Sequence, residues 1–240
     1  MTMALRSSEF WLPWAEKELR DALGRSTLLD TRRYEIFVQG SRANGTALDD
    51  TSDIDLVLML TGPHDPGYGW EEFRDDVLTT MGKSYRVRMG RRCLNVDEPD
   101  SLFGEMVDVL VATEHRGGVF FRDENGLPIV NFPKQHRRNG DAKDLRTGGR
   151  FKQAVRAAKR ARVENGVPAP SYLLECLLYN VPDNVFNLVS YRSALGWLRE
   201  HRDELDGLYC QNGINRLFGP GPDQWDADQV ARIIDVLHQI

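Results

Sequence analysis

The sequence contains few cysteines, and their positions fit neither a disulfide framework nor a metal site. Cys93, Cys176 and Cys210 are odd in number, widely spaced and without a CxxC pair. The five histidines likewise lack the spacing of zinc ligands. These absences exclude a disulfide-stabilised secreted scaffold and a Cys/His metal module. We expect three reduced thiols in a cytoplasmic protein.

Long apolar segments are also missing. No stretch approaches the roughly 18–20 apolar residues that a membrane-spanning helix requires. Residues 1–10 include the polar residues Arg6, Ser7, Ser8 and Glu9, so this segment lacks the apolar run of a signal peptide. We therefore expect no membrane partner.

The chain has no overall excess of positive charge. It carries 31 basic and 36 acidic residues, a net charge of −5 at pH 7, which argues against strong general binding of nucleic acid. One local exception is residues 134–162, called the basic run below, which contain eleven Lys and Arg residues but only two acidic residues. Such a stretch would offset the charge of a triphosphate, although a solvated helix face has the same pattern.

The order of predicted elements favours an α+β fold. β-Branched and aromatic patterns predict strands at 34–39, 52–60, 85–94 and 106–112, with shorter ones at 120–121 and 129–130. Helical periodicity predicts helices at 8–25 and 70–82, and after about residue 140 at 150–164, 171–178, 185–201 and 224–239. We expect a mixed sheet flanked by helices over residues 1–140, followed by a helical lobe over residues 141–240.

Three acidic residues lie in or beside apolar strands. Side chains alternate along a strand, so Asp53 and Asp55 are expected to project from one side of their strand, with Ile54, Leu56, Leu58 and Leu60 on the other. Asp108 is flanked by two valines in a later strand. Carboxylates this close repel one another unless a cation lies between them. Mg²⁺ prefers such oxygen ligands together with substrate phosphates, and three carboxylates suit a two-metal phosphoryl-transfer site.

Gly40 and Ser41 directly follow the first predicted strand. A glycine at a strand end lets the backbone approach a ligand closely, and the Ser41 hydroxyl and nearby N–H groups could hold a triphosphate tail. The turn is not a P-loop, because no Gly-Lys-Ser/Thr follows at the required spacing. Each feature alone has an ordinary structural explanation: a turn, a surface DxD or an edge-strand charge. Their conjunction favours a metal site.

Together these motifs resemble the cGAS/DncV-like nucleotidyltransferases (CD-NTases) of the polymerase-β-type superfamily. The resemblance rests on Gly40-Ser41, Gly45-Thr46, Ser52-Asp-x-Asp55 and Val107-Asp108-Val109. Further agreement comes from Pro-Lys-Gln-His at 133–136, the helix around Lys159 and Ser-Tyr-Leu-Leu-Glu at 171–175. The similarity spans about residues 30–185, and its later stretches select the subfamily.

The resemblance implies a polymerase-β-like catalytic core over residues 1–140 and a helical lobe over 141–240 that closes over the nucleotide. It implies that Asp53, Asp55 and Asp108 bind two Mg²⁺ ions, for which Mn²⁺ could substitute. Nucleotide-binding residues would be Gly40, Ser41, Lys159 and Ser171. Pro170 stands where relatives often have a lysine, which weakens the assignment of Ser171.

The implied activity is template-independent synthesis of a cyclic di- or trinucleotide second messenger from nucleoside triphosphates. The product would activate a separate effector protein in bacterial antiphage signalling, and a regulatory partner could control the enzyme. Base preference, linkage and ring size depend on side chains distributed over both lobes. Alternatives with the same carboxylates are transfer to RNA, an antibiotic or a protein, and a catalytically silent nucleotide-binding module. A kinase or P-loop NTPase is disfavoured by the missing lysine motif.

Overall fold

The structure, a computed structural model, describes residues 8–48, 53–63, 65–96, 107–187 and 190–240, without side chains for residues 8–12. Contacts divide the chain into two compact units. The first unit runs through Ala43, resumes after the segment Asn44–Leu48 and continues to Asn131. The second unit consists of Asn44–Leu48 and Phe132–Ile240. Five residues from within the N-terminal half therefore belong to the C-terminal unit.

The first unit is built on a sheet that has seven strands within the described residues. These are β1 (Tyr34–Gln39), β2 (Ile54–Leu60), β3 (Val87–Met89), β4 (Leu94–Val96), β5 (Val107–His115), β6 (Gly118–Arg122) and β7 (Pro128–Asn131). The main strand order is β1-β2-β5-β4-β3, and β6 pairs with β5 and β7. The central pair β2 and β5 is parallel, whereas the other pairs are antiparallel.

Helices α1 (Ser8–Leu23) and α3 (Trp70–Met81) cover one face of this sheet, and the short helix α2 (Gly40–Ala43) follows β1. Strand alternation sends Leu56 and Leu58 of β2 to the helix-covered face, where they pack in one cluster with both helices. Val57 and Met59 point to the opposite face and pack with β6 and β7. Both faces of β2 are thus apolar over most of its length, which fits a central strand.

The second unit is helical. Its helices are α4 (Pro133–Arg146), α5 (Arg150–Glu164), α6 (Ser171–Asn180), α7 (Tyr191–Glu200) and α8 (Ala227–Gln239), with short 3-10 helices at Asp183–Asn187 and Arg202–Gly207. Ser190 and Asp226 cap α7 and α8 through side-chain oxygens that accept backbone N–H groups. The apolar sides of α5 to α8 meet in one core. None of the helices in the described ranges has the length and apolar character that crossing a bilayer requires.

The predicted α+β architecture is confirmed, and β1 and α5 have the predicted bounds. The single strand predicted at 85–94 is wrong, because the chain turns at Gly90 and forms the β3–β4 hairpin. The continuous helix predicted at 185–201 is also wrong, since a 3-10 helix precedes α7. Helix α4 was not predicted, because it lacks a clear apolar stripe. Predicted positions 52 and 106 lie outside the described residues.

The expected division at residue 140 differs from the division by contacts. Helix α4 begins at Pro133 and belongs to the helical unit, so that unit starts at Phe132. Nor did the sequence indicate that Asn44–Leu48 would join it. The reason becomes visible in the contacts of this segment, described below.

Candidate active site

The three predicted carboxylates lie at the same end of the two central strands. Asp55 in β2 and Asp108 in β5 are direct partners in the parallel register, so their side chains leave the same face of the sheet from neighbouring strands. Asp53 immediately precedes β2 and is exposed, whereas Asp55 and Asp108 are half-buried. The structure therefore brings together the acidic residues that the sequence singled out.

The pKa of Asp53 shows that the acidic residues of the site repel one another electrostatically. Although the residue as a whole is exposed, partial desolvation of its carboxyl group raises the pKa of Asp53; the negative charge of Asp108 raises it further, and Arg42 acts in the opposite direction. A raised carboxyl pKa means that the ionised form lacks sufficient stabilisation from the protein alone. A bound cation would supply that stabilisation, which is the electrostatic condition expected of a metal-binding carboxylate.

Gly40 lies against Asp55. Its backbone has a φ of +71°, in the left-handed region, and a Cβ atom at this position would lie 1.9 Å from Asp55 Oδ2 and 2.6 Å from Cγ. Only glycine fits both the conformation and the space. The same residue starts the short helix α2, in which Ser41 is the second residue. The turn after β1 is thus in direct contact with one of the carboxylates.

Asn95 is a site residue that the sequence analysis missed. It lies opposite Asp108 in the antiparallel β4–β5 pair, and its Nδ2 donates a hydrogen bond of 2.6 Å to Asp108 Oδ1. This bond fixes the rotamer of the carboxylate and leaves its second oxygen for other partners. The sequence signal for Asn95 is a polar residue between the buried Leu94 and Val96, but the strand predicted at 85–94 ends before it.

Cys93 also belongs to this neighbourhood. Its Sγ lies 3.6 Å from Asn95 Nδ2. Burial, reinforced by the charge of Asp108, raises the pKa of the Cys93 thiol to about 12. The thiol therefore stays protonated and unreactive beside the carboxylates. It contributes packing to the site and no nucleophile.

The donor set fits a hard divalent cation. Within the described ranges, no three His, Cys, Asp or Glu side chains converge as a preformed ligand cluster. Asp53, Asp55 and Asp108 instead present carboxylate oxygens at one end of β2 and β5. Mg²⁺ is commonly bound this way, by one or two carboxylates completed by water and substrate phosphates. A closed tetrahedral zinc site would require a different arrangement.

In the helical unit, the structure places Lys159 in the interior. The residue is 2% exposed, and its ammonium group donates to Glu175 Oε1 at 2.6 Å, Thr46 Oγ1 at 3.0 Å and the Thr46 carbonyl at 3.2 Å. An ammonium group has three protons, and each has an acceptor here. In this structure the three protons of Lys159 are thus directed at groups within the helical unit, and its direct contact with a nucleotide stays a prediction.

Two further predictions concern Ser171 and the basic run, from which nucleotide contacts were expected. Ser171 is the first residue of α6 and is partly buried, and its contact with a nucleotide stays a prediction. Within the basic run, Lys143 and Arg146 both pair with Asp183, at 2.8 and 2.6 Å. Lys152 pairs with Asp141. Much of the run's positive charge is thus used in ion pairs within the helical unit.

Comparison with known proteins identifies the family of the chain. Residues 16–88 match the family model of the nucleotidyltransferase domain, and residues 138–240 match that of the cGAS/DncV-like nucleotidyltransferase C-terminal helical domain. A cyclic UMP-AMP synthase from Rhodothermus marinus is 33% identical, over 83% of this chain and 82% of the relative. A cyclic dipyrimidine nucleotide synthase CdnE from Legionella pneumophila is 29% identical, over 92% of this chain and 88% of the relative.

A solved structure shows the same fold. The Rhodothermus marinus CdnE c-UMP-AMP synthase, determined with Apcpp and Upnpp, superposes with a TM-score of 0.79 at 30% identity, covering 94% of this chain and 89% of that structure. The polymerase-β-like core and the C-terminal helical domain inferred from the sequence are therefore both confirmed, as is nucleotidyltransferase activity. Enzymes of this type use divalent metal ions and nucleotide substrates. The chain belongs to the cGAS/DncV-like nucleotidyltransferase family.

Proposed function

We propose that this enzyme condenses nucleoside triphosphates into a cyclic di- or trinucleotide, with Asp53, Asp55 and Asp108 holding two Mg²⁺ ions. The observation that supports it most is the pairing of Asp55 with Asp108 on adjacent parallel strands, with Gly40 packed against Asp55. Relatives of comparable length are named as cyclic nucleotide synthases. Because those names include cyclic UMP-AMP and cyclic dipyrimidine synthases, UTP with ATP and UTP with CTP are the first substrate pairs to test.

Each residue of the site has a role in the proposed reaction. Divalent cations, when bound, offset the charge of the donor triphosphate and leaving pyrophosphate and lower the pKa of the attacking hydroxyl. Asp108, oriented by the hydrogen bond from Asn95, accepts the proton of the acceptor ribose hydroxyl. The hydroxyl oxygen then bonds to the α-phosphorus as pyrophosphate departs. Gly40 and Ser41 hold the donor triphosphate through backbone N–H groups and the Ser41 hydroxyl. The last such transfer, within the linear di- or trinucleotide, releases its terminal pyrophosphate and closes the ring.

The biological role follows from the product. We place the reaction in the cytoplasm, where nucleoside triphosphates are available. A cyclic oligonucleotide has no free phosphate end and serves as a diffusible signal. In this proposal a separate effector protein reads it during antiphage defence, and a regulatory partner sets when synthesis begins.

The test is product analysis. The protein is incubated with ATP, GTP, CTP and UTP, singly and in pairs, with Mg²⁺ or Mn²⁺, and the mixture is treated with phosphatase and analysed by mass spectrometry. A cyclic dinucleotide or trinucleotide resistant to phosphatase is expected from the wild type and not from Asp55→Asn. Glu114→Gln is the matched control, because Glu114 is an exposed acid at the other end of the strand that carries Asp108.

Other products would redirect the assignment. Linear oligonucleotides alone would indicate transfer without cyclisation. With no soluble product under either metal, cyclic synthesis by the isolated protein is contradicted, and α-labelled triphosphates incubated with RNA, protein and antibiotic acceptors would then identify the alternative substrate. A protein that binds Mg²⁺ and ATP but transfers nothing would be the silent nucleotide-binding module.

A further inference from the structure

The segment Asn44–Leu48 is held by the helical unit through buried polar contacts. Asn44 is 9% exposed and Thr46 is 2% exposed. In the chain this segment lies between Ser41 and Asp53, the two ends of the motif that the proposed function uses for triphosphate and metal. Polar side chains are rarely buried to this extent unless their hydrogen bonds are satisfied, so their partners show what the segment is bound to.

Both polar side chains of the segment bind Glu175, in the second turn of α6. Asn44 Nδ2 donates to Glu175 Oε2 at 2.9 Å, and Thr46 Oγ1 donates to Oε1 at 2.5 Å. His136 Nε2 contacts Oε2 at 2.9 Å, and Lys159 Nζ donates to Oε1 at 2.6 Å. Each carboxylate oxygen therefore has two partners, which is the full capacity of a carboxylate.

The charge state of Glu175 follows from these partners. Burial opposes ionisation of the carboxyl, but the hydrogen bond from His136 and the charge of Lys159 outweigh it and lower the pKa of Glu175 to about 2. The ionised carboxylate and the ammonium of Lys159 form a buried ion pair, and both members also bind Thr46. Arg156 adds a bond of 2.6 Å to the Gly45 carbonyl. Three consecutive residues of the segment are thus tied to helices α5 and α6.

A second buried lysine of the same unit shows what distinguishes this arrangement. Lys143 is 3% exposed and donates to Asp183 and to the Val181 carbonyl, at 2.8 and 2.7 Å. That pair connects parts of the helical unit to each other and does not touch Asn44–Leu48. Replacing a buried ion pair by apolar residues is often neutral or stabilising. Stability alone therefore does not explain why the Lys159–Glu175 ion pair binds the segment Asn44–Leu48. We infer that the segment has to be held in one position.

We propose that Glu175 and Lys159 are positioning residues, which hold residues 44–46, directly after the Gly40–Ala43 helix, in the position that nucleotidyl transfer requires. This inference rests on the proposed function of the same site. Neither residue touches substrate or metal in this role. They act through Thr46, whose hydroxyl links the ion pair to the segment.

The decisive variant is Thr46→Val, which keeps the shape of the side chain and removes the hydroxyl. Thr46→Ser restores the hydroxyl and serves as the rescue. Lys143→Met is the matched control, since it breaks a buried ion pair of the same unit that is not connected to the segment. Each variant is measured for thermal stability, for steady-state kinetics with the wild-type substrate pair, and for amide hydrogen exchange of peptides within residues 40–48.

Thr46→Val is expected to speed exchange within residues 40–48 and to lower kcat/KM by about tenfold or more, because small displacements of a positioning segment carry large costs in rate. Thr46→Ser is expected to recover most of both. Lys143→Met is expected to lower the melting temperature, while kcat/KM and the exchange rate within residues 40–48 remain at wild-type values. If the Lys159–Glu175 ion pair were merely structural, the loss of kcat/KM in every variant would instead be proportional to its loss of thermal stability.

The exchange measurement separates this proposal from the proposed function. If Thr46→Val exchanged faster but the wild type made no cyclic product, the proposed function and the catalytic part of this inference would be overturned. The role of Thr46 in holding residues 44–46 against Glu175 and Lys159 would still be established. Unchanged exchange would overturn the positioning proposal whatever the activity. A wild-type kcat/KM in Thr46→Val, or an equal loss in Lys143→Met at equal stability, would overturn it as well.

Discussion

Replacing Gly40 by alanine tests the site geometry most directly. The added Cβ would lie 1.9 Å from Asp55 Oδ2, so the carboxylate must move by about 1.5 Å to reach the 3.4 Å at which ordinary contact begins. A misplacement of this size costs on the order of 100-fold in rate, which corresponds to about 3 kcal/mol of transition-state stabilisation. We expect Gly40→Ala to lower kcat/KM by at least that factor.

The same substitution has a separate effect on stability. Alanine in a left-handed backbone conformation costs about 1–2 kcal/mol, and Gly40 has a φ of +71°. Gly126 provides the control, because its φ is +76° and a Cβ there meets no heavy atom within 4 Å. Gly126→Ala should lose comparable stability in urea unfolding and keep wild-type activity.

The assay is initial-rate measurement of cyclic product at several triphosphate concentrations, with unfolding curves for each variant. If Gly40→Ala retained activity within a few-fold of wild type, the contact between this glycine and Asp55 would be irrelevant to the reaction, and our placement of the triphosphate and metal site would be refuted. If Gly126→Ala lost activity equally, the loss in Gly40→Ala could not be attributed to Asp55.

Three further predictions follow from the contacts described. Asn95→Leu should lower kcat by about tenfold or more, since a hydrogen bond to a charged group contributes about 1.5–3 kcal/mol, and Asp108 would lose its orientation; stopped assays at saturating triphosphate measure this. Chelation with EDTA should abolish product formation, and added Mg²⁺ or Mn²⁺ should restore it, as mass spectrometry would show. The stability contributed by Glu175 should be fully present above about pH 4.5 and lost as the pH falls towards 2, because its pKa is about 2 in the folded protein against 4.5 ordinarily.

The pH dependence of the stability contributed by Glu175 can be measured by urea unfolding between pH 7 and pH 3, comparing wild type with Glu175→Gln. The shift corresponds to about 3 kcal/mol at most, so the wild type should lose stability more steeply than the variant. If the free energy of unfolding of the wild type and of Glu175→Gln changed with pH in parallel, the lowered pKa of Glu175 would be contradicted.

For Asn95, an Asn95→Asp variant that kept full activity would show that the charge and orientation of Asp108 are unimportant. Activity that persisted in EDTA would contradict a divalent-metal mechanism.

The sequence predicted the elements whose signal is local. Strand β1 is a continuous β-branched and aromatic segment that ends at a glycine, and α5 has a clear helical period. Asp55 and Asp108 could also be singled out as candidates, because an acidic residue inside an apolar strand is unusual. Their direct pairing depends on the order and register of the strands in the sheet, which local sequence does not determine.

The features that the sequence does not reveal depend on residues far away in the chain. Nothing local shows that Lys159 points inward, because its surroundings in α5 are basic and its acceptors come from Thr46 and Glu175. The site role of Asn95 depends on its register with Asp108. The hairpin at Gly90 interrupts a segment whose composition is that of one continuous strand. In each case long-range packing decided between local alternatives of similar free energy.

The discontinuous helical unit has a consequence for how the chain folds. The hydrogen bond between Thr46 and Glu175 spans 129 positions, whereas that between Lys159 and Glu175 spans 16. Chain-entropy scaling makes closure of the longer loop costlier by about 2 kcal/mol. Thr46 also leaves the ribosome long before Glu175 is synthesised, and domains tend to fold in the order of synthesis. The segment Asn44–Leu48 therefore becomes ordered late, after α5 and α6 have formed, and a chain that ends before α6 never completes its contacts.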